Sequence, residues 1–193
     1  YQTILVPLLT DEANMAHLQH MTFGAFDASL FSDQPNPGLY QSDLSPRRQI
    51  LGLRKVSERF VDAFDLPETR SMLFVGKPGT GKTFLMACIA RALITRGRSV
   101  LYVSAPQLFD HMQEHRTLLA SFNPDPIRLD NSLAMRDSIM GCSLLLIDDL
   151  GTEPGAASRY ADLLAVIDGR QSPDRKMIIS SNADPVSLRD QYD

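Results

Sequence analysis

A chain of 193 residues, 44% hydrophobic and 22% charged, has the composition of one globular domain with room for a sizeable core. A formal net charge of −4 excludes a protein that is basic throughout, so any nucleic-acid contact must come from a local patch. No apolar stretch is long enough to span a bilayer, no signal-peptide pattern opens the chain, and a first residue of Tyr1 rather than Met leads us to expect a piece of a longer product.

Residues 1–20 show no sustained period, and "SDQPNPGLYQSDLSPRRQ" (32–49) reads as loop. Together they predict a lead-in over residues 1–45, with the folded core spanning 46–193. Ile50, Leu53, Val56, Phe60 and Phe64 recur at steps of three and four, which predicts an amphipathic helix over about 46–65. Its other face carries Arg47, Arg48, Arg54, Lys55 and Arg59, a solvated face before it is a nucleic-acid patch.

"SMLFV" (71–75) reads as a buried strand, and "TFLMACIARALITRG" (83–97) as a helix stopped by Gly97. "SVLYVS" (99–104) predicts a second strand. Ser104 followed by Gln107 has the spacing of a capping box opening the next helix. "SFNPDPIRLDN" (121–131) predicts a loop with two prolines, then a short helix over 132–141. "SLLLID" (143–148) and "KMIISS" (176–181) predict two further buried strands, separated by a helix over 157–170. Asp184 and Pro185 have the residue types of an N-cap and a first helical position. Continuous apolar strands alternating with helices predict a parallel sheet covered on both faces, an α/β fold.

"GKPGTGKT", Gly76 to Thr83, matches G-x-x-x-x-G-K-[ST] between a strand and a helix, the context in which that spacing cradles phosphates. Gly76 would let the chain leave the strand, and Gly79 and Gly81 would supply conformations other residues resist. Lys77, Pro78, Thr80 and Phe84 complete the loop, whose amides would face the phosphates at a helix N-terminus. Lys82 would reach the β- and γ-phosphates, and the Thr83 hydroxyl would hold Mg²⁺. The expected ligand is Mg²⁺–ATP.

"LLLIDDLGTE" (144–153) ends an apolar run in two adjacent carboxylates, which repel each other and resist burial. Opposite a phosphate loop the pair has a use. Asp148 would ligate the metal with Thr83, and Asp149 would act as general base toward the attacking water. Alone, "DDLG" also fits a polar turn. In "IISSNAD" (178–184), Asn182, with Ser181 next, would meet the γ-phosphate or the water. The expected catalytic residues are therefore Asp149, Lys82 and Asn182.

Other features predict structure instead. His111 and His115 stand at i, i+4 without the Glu of a zinc motif, so they read as a solvated helix face. His17 and His20 fall in the lead-in. Phe23 and Phe26 either pack on an adenine or staple the N-terminal segment. Cys88 and Cys142, alone in apolar surroundings, predict reduced core residues and a cytoplasmic location.

Taken as a set, "TFGAFD" (22–27), "GKPGTGKT", "YVSAPQLFDHMQ" (102–113), "LLLIDDLGTE", "IISSNAD" and "LRDQYD" (188–193) resemble the bacterial helicase-loader ATPases. This is the DnaC/DnaI group, close to the IstB transposition helpers and within the AAA+ class. The resemblance covers roughly residues 20–193. It implies a three-layer α/β/α P-loop NTPase with a parallel sheet in the order 5-1-4-3-2, and ATP-dependent self-assembly. It also implies a role in placing a ring-shaped, DnaB-type replicative helicase on single-stranded DNA; a transposition helper or a nucleotide-dependent binding module are the alternatives. Carried over, Gly76–Thr83 become the phosphate loop, Asp148 and Asp149 the second Walker motif, and Asn182 the first sensor. The family's fifth strand and arginine finger would follow Asp193, so the isolated chain is expected to hydrolyse ATP slowly or not at all. With 15 Arg and 4 Lys scattered along an acidic chain, any single-strand contact is expected to be weak and steep in salt.

Overall fold

The computed structural model describes residues 20–35, 37, 43–152 and 157–192. Most of the lead-in, including His17, and Glu153 of the "GTE" stretch lie outside the described residues. Two short 3₁₀ turns, Phe23–Ala25 and Ala28–Leu30, precede helix α1 (Pro46–Asp62). Then follow β1 (Met72–Val75), α2 (Lys82–Thr95), β2 (Val100–Ser104), α3 (Ala105–Ala120), α4 (Pro126–Gly141), β3 (Leu144–Leu150), α5 (Ala157–Gly169), β4 (Lys176–Ser181) and α6 (Pro185–Tyr192).

All strand pairings are parallel and the order is β1-β4-β3-β2. This is the expected order for the four strands among the described residues. Strand residues alternate between two cores because successive side chains point to opposite faces. Phe74, Val100, Leu144, Leu146 and Ile178 face α1 and α2, with Ile50, Phe60, Leu85, Met86, Ile89 and Leu93. Leu101, Val103, Leu145, Ile147 and Met177 face α3 to α6, with Leu108, Phe109, Met135, Ile139, Val166 and Leu188. Burial on both faces explains why the strands read as unbroken apolar runs. Leu73 and Val75 on edge strand β1 stay half-exposed.

The helix ends follow their local chemistry. Ser45 caps α1 by accepting from the Arg48 amide, and Pro46 takes the first turn. Gly97 has φ +76°, and the amides of Gly97 and Arg98 return to the Ile94 and Leu93 carbonyls, which closes α2 as a Schellman motif. The Ser104–Gln107 capping box forms as expected. At α6, Asp184 accepts from the Val186 and Ser187 amides.

Four expectations need correction. The loop predicted for 121–131 is half helix: Asp125 accepts from the Ile127 and Arg128 amides and Pro126 starts α4, so "DPIR" is a capped first turn. Val56 is exposed although it falls on the apolar period of α1. His115 is buried, not solvated; its Nδ1 hydrogen-bonds with Ser132 of α4 at 2.9 Å, and burial lowers its proton affinity. Strand β3 runs two residues past Asp148, carrying a register shift between Ile147 and Leu150 against β4.

Residues 26–33 are packed against α1 and α2. Arg47 donates from Nε to the Ala28 and Phe31 carbonyls, both at 3.1 Å, and pairs with Asp33. Phe26 lies against Phe31 and Phe84, with the Arg54 guanidinium over its ring at 5.2 Å. These contacts describe the stapling role considered for Phe26. Two of the five basic residues of α1 are thereby tied into the fold.

Candidate functional site

Because every strand runs the same way, the segments leaving β1, β3 and β4 meet at one end of the sheet. Those segments are the glycine-rich loop, the paired aspartates and the Ser-Asn turn. The carboxyl ends of parallel strands are where open α/β sheets bind ligands.

The loop keeps β1 in register for one more bond, the Gly76 amide donating to the Ser181 carbonyl. Gly79 and Gly81 both have positive φ, +77° and +87°, as expected. Gly81 is constrained twice, since a Cβ there would meet Ile50 Cδ1 at 3.1 Å and Phe31 Cζ at 3.4 Å. Gly76 differs from the expectation: its φ is ordinary, and what its lack of a side chain provides is room for the Thr80 hydroxyl. Thr80 Oγ1 closes the loop by donating to the Lys77 carbonyl. No side chain caps α2 at Gly81, so the amides of Lys82, Thr83 and Phe84 open toward an outside acceptor. Lys77 and Pro78 sit at the exposed tip, while the Phe84 ring turns away to Phe26.

Lys82 is buried, at 6% exposure. Its ammonium donates to the Gly76 carbonyl at 2.7 Å, the Lys77 carbonyl at 3.2 Å and Asn182 Oδ1 at 2.7 Å. Burial lowers its proton affinity, and the charges of Asp149 and Asp148 oppose that shift. Asn182 continues the chain of contacts by donating from Nδ2 to Asp149 Oδ1 at 3.2 Å. Lys82, Asn182 and Asp149 thus form one hydrogen-bonded row across the mouth of the site.

Asp148 and Asp149 are neighbours in sequence but not in environment. Asp148 is 4% exposed. Its Oδ2 accepts from Thr83 Oγ1 at 2.9 Å and from the Tyr102 phenol. Its Oδ1 accepts from the Ser180 hydroxyl and from the Asp149 amide at 3.2 Å. Four donors compensate the buried charge, which answers the burial penalty noted in the sequence. Asp149 adopts φ +58°, the one non-glycine residue with positive φ among the described residues. Its amide also donates to Ser180 Oγ at 3.0 Å, and its carbonyl receives Thr152 Oγ1 at 2.8 Å. The β3 irregularity therefore sends the two carboxylates in different directions, and "DDLGT" is strand end and turn at once.

Sequence reasoning missed Tyr102 and Ser180. Ser181, the second choice beside Asn182, is instead structural: its hydroxyl donates to the Leu150 carbonyl and accepts from the Ala183 amide. Strand alternation was the available signal, because Ser180 shares a face with Ile178 and Asn182. Burial and the adjoining Asp148 push the Tyr102 phenol well above its ordinary range, so it remains a donor.

A carboxylate and a hydroxyl are hard oxygen donors, the set that suits Mg²⁺. Thr83 Oγ1 and Asp148 Oδ2 lie 2.9 Å apart. Adjacent oxygens around an octahedral Mg²⁺ with bonds of about 2.1 Å are separated by about 3.0 Å. The residues present fit the cation.

Fold and site together define a P-loop nucleotide-binding protein of the AAA+ class. More narrowly, the chain belongs to the IstB-like ATP binding proteins, a family that matches residues 40–186. It is 31% identical over 152 residues to the replicative helicase loader DnaC of Buchnera aphidicola subsp. Acyrthosiphon pisum, covering 78% of this chain and 56% of that one. It is 29% identical over 133 residues to the replicative helicase loader DnaC of Escherichia coli K12, covering 68% and 50%. The chain spans about half the length of these relatives. Among solved structures it is similar in fold to the DnaC helicase loader, with a TM-score of 0.64, 17% identity and coverage of 91% and 89%. It is also similar to DnaI, with a TM-score of 0.59, 23% identity and coverage of 89% and 74%. Among the described residues, no helix is long and apolar enough to cross a membrane.

Proposed function

We propose that residues 46–193 are the ATP-hydrolysing core of a cytoplasmic replicative helicase loader, and that ATP binding here controls self-assembly and engagement of a DnaB-type helicase on single-stranded DNA. The observation that carries this reading is the convergence of Lys82, Thr83, Asp148, Asp149 and Asn182 on one end of the sheet. The similarity to DnaC proteins supplies the biological setting.

In this reading the amides from Gly76 to Phe84 and the Lys82 ammonium hold the triphosphate. Thr83 and Asp148 hold Mg²⁺, which neutralises phosphate charge when bound. Asp149 accepts a proton from water as the water oxygen bonds to the γ-phosphorus and the bond to the ADP oxygen breaks. Asn182 orients that water or the γ-phosphate. The γ-phosphate replaces Asn182 Oδ1 as a Lys82 partner, and Asn182 keeps its link to Asp149 through Nδ2. Occupancy and the base are linked through one side chain.

Retention assays on the full-length protein, with and without ATP, test the reading. ATP-dependent retention of a replicative helicase supports it. Retention of a transposase instead would establish the transposition-helper alternative. Affinity for single strands should be weak and should fall steeply with salt.

A further inference from the structure

Four donors meet the Asp148 carboxylate, and only Thr83 among them belongs to the phosphate loop. The other side-chain donors, Tyr102 and Ser180, come from β2 and β4, the strands on either side of β3. We propose that these two hydroxyls are positioning residues for the metal, clamping Asp148 by one oxygen each so that it receives Mg²⁺ in a fixed orientation. The proposal rests on the assignment of Asp148 and Thr83 as the residues that hold the cation.

Each carboxylate oxygen offers about two acceptor sites. On Oδ2 these are taken by Thr83 and Tyr102, and on Oδ1 by Ser180 and the Asp149 amide. When the Thr83 hydroxyl turns its oxygen to a cation, Oδ2 loses one donor and regains a free lone pair on the same side. Tyr102 is then the remaining donor on Oδ2, and it keeps the carboxylate from rotating after its partner leaves. Ser180 does the same for Oδ1. It also accepts from the Asp149 amide, so one buried hydroxyl fixes both the carboxylate and the turn that aims Asp149.

Placement supports a specific role for the phenol. Register pairs Tyr102 with Leu146 and Ser104 with Asp148, so the ring must reach two residues along the sheet to meet the carboxylate. A Phe would fill the same volume on the α2-facing side without making that bond. The residues that orient a metal ligand typically change metal affinity by about tenfold or more when removed.

The experiment uses Tyr102→Phe and Ser180→Ala in the full chain, with ATP affinity measured by calorimetry in Mg²⁺ and again in EDTA. The ratio of the two affinities isolates the metal. In Tyr102→Phe we expect that ratio to drop by about tenfold, with affinity in EDTA within about twofold of the parent. A merely structural role would lower both affinities together and leave the ratio unchanged, and that result overturns the proposal. Ser180→Ala should lower the ratio likewise; if its buried cavity prevents folding, Tyr102→Phe decides alone. If the parent protein binds no ATP under either condition, the nucleotide reading falls and this proposal with it. If it binds and neither ratio moves, only the positioning role falls.

Discussion

Strand β3 has a polar cluster at each end, and the two are built on opposite principles. At its start, Arg170 is 1% exposed and has no carboxylate beside it among the described residues. Its guanidinium donates to the carbonyls of Ile139, Cys142 and Lys176 and to the Cys142 sulfur. At the far end, Thr83, Tyr102, Ser180 and Asn182 meet two aspartates with side chains, and Lys82 joins them through Asn182 while also holding the Gly76 and Lys77 carbonyls. Main-chain carbonyls cannot be exchanged for a ligand without unfolding something; side-chain partners can. Arg170 ties the last turn of α4, the entry to β3 and the start of β4 together, and its charge also suits a helix C-terminus. The first cluster fixes the sheet, and in the proposed reading phosphate and metal would rewire the second.

Three substitutions test that division, in falling order of effect. Asp149→Asn should lower ATP turnover in the full-length protein by about 10³-fold, the loss typical of a general base, while ATP binding persists. Phosphate release measures the first and calorimetry the second; unchanged turnover would remove Asp149 from the mechanism. Arg170→Met should cost about 3 kcal/mol of stability, because three buried carbonyls lose their donor. Denaturant unfolding reports it, and ATP affinity of the folded protein should stay as it was. A more stable variant would mean that the cost of burying the guanidinium exceeds the worth of its bonds, and a shifted ATP affinity would break the separation of the two ends. Lys82→Ala should weaken ATP binding by roughly 30-fold through loss of a charge-assisted contact, and should cost less stability than Arg170→Met because the desolvation penalty of the buried ammonium goes with it. Unaltered affinity would overturn the phosphate assignment.

How far each end was legible follows from the same contrast. The phosphate loop announced itself because Gly79, Gly81, Lys82 and Thr83 are contiguous and each position has a steric or chemical reason. The alternation of apolar strands and helices likewise predicted the layers, since burial on both faces leaves unbroken apolar runs at Leu144–Ile147 and Met177–Ile179. What stayed hidden depends on partners remote in sequence. Tyr102 lies 46 residues from Asp148 and Ser180 lies 32 away, and neither type is diagnostic on its own. Arg170 read only as the last residue of the helix predicted over 157–170, because nothing local says that its acceptors are carbonyls 28 and 31 residues upstream. The α4 start was missed for another reason: Asn-Pro and Asp-Pro in "NPDP" read as a loop signal, and only the second opens a helix. Asp149 is intermediate, since the sequence singled it out but its left-handed backbone needed the β3 irregularity to be seen.

The smallest expected effect comes from pH, and it separates binding from folding by sign. Burial holds the Lys82 ammonium below its ordinary value of 10.5. Between that lowered value and 10.5 the unfolded chain binds more protons at this site than the ATP-free fold does. Stability from this group therefore rises as pH climbs through the window. ATP reverses the balance, because phosphate oxygens beside the nitrogen favour the charged form. Binding then takes up a proton wherever the ATP-free lysine has lost one. Affinity should be at its full value below the lowered proton affinity of Lys82 and should fall above it, by at most about tenfold per pH unit for one linked proton. Calorimetry in buffers of different ionisation enthalpy measures the uptake directly. Lys82→Met, titrated in parallel, subtracts every other group. If the difference between the two proteins shows no proton uptake on the alkaline side, the ammonium is not the group that meets the phosphates, and the row from Lys82 through Asn182 to Asp149 is a structural tie like the one at Arg170.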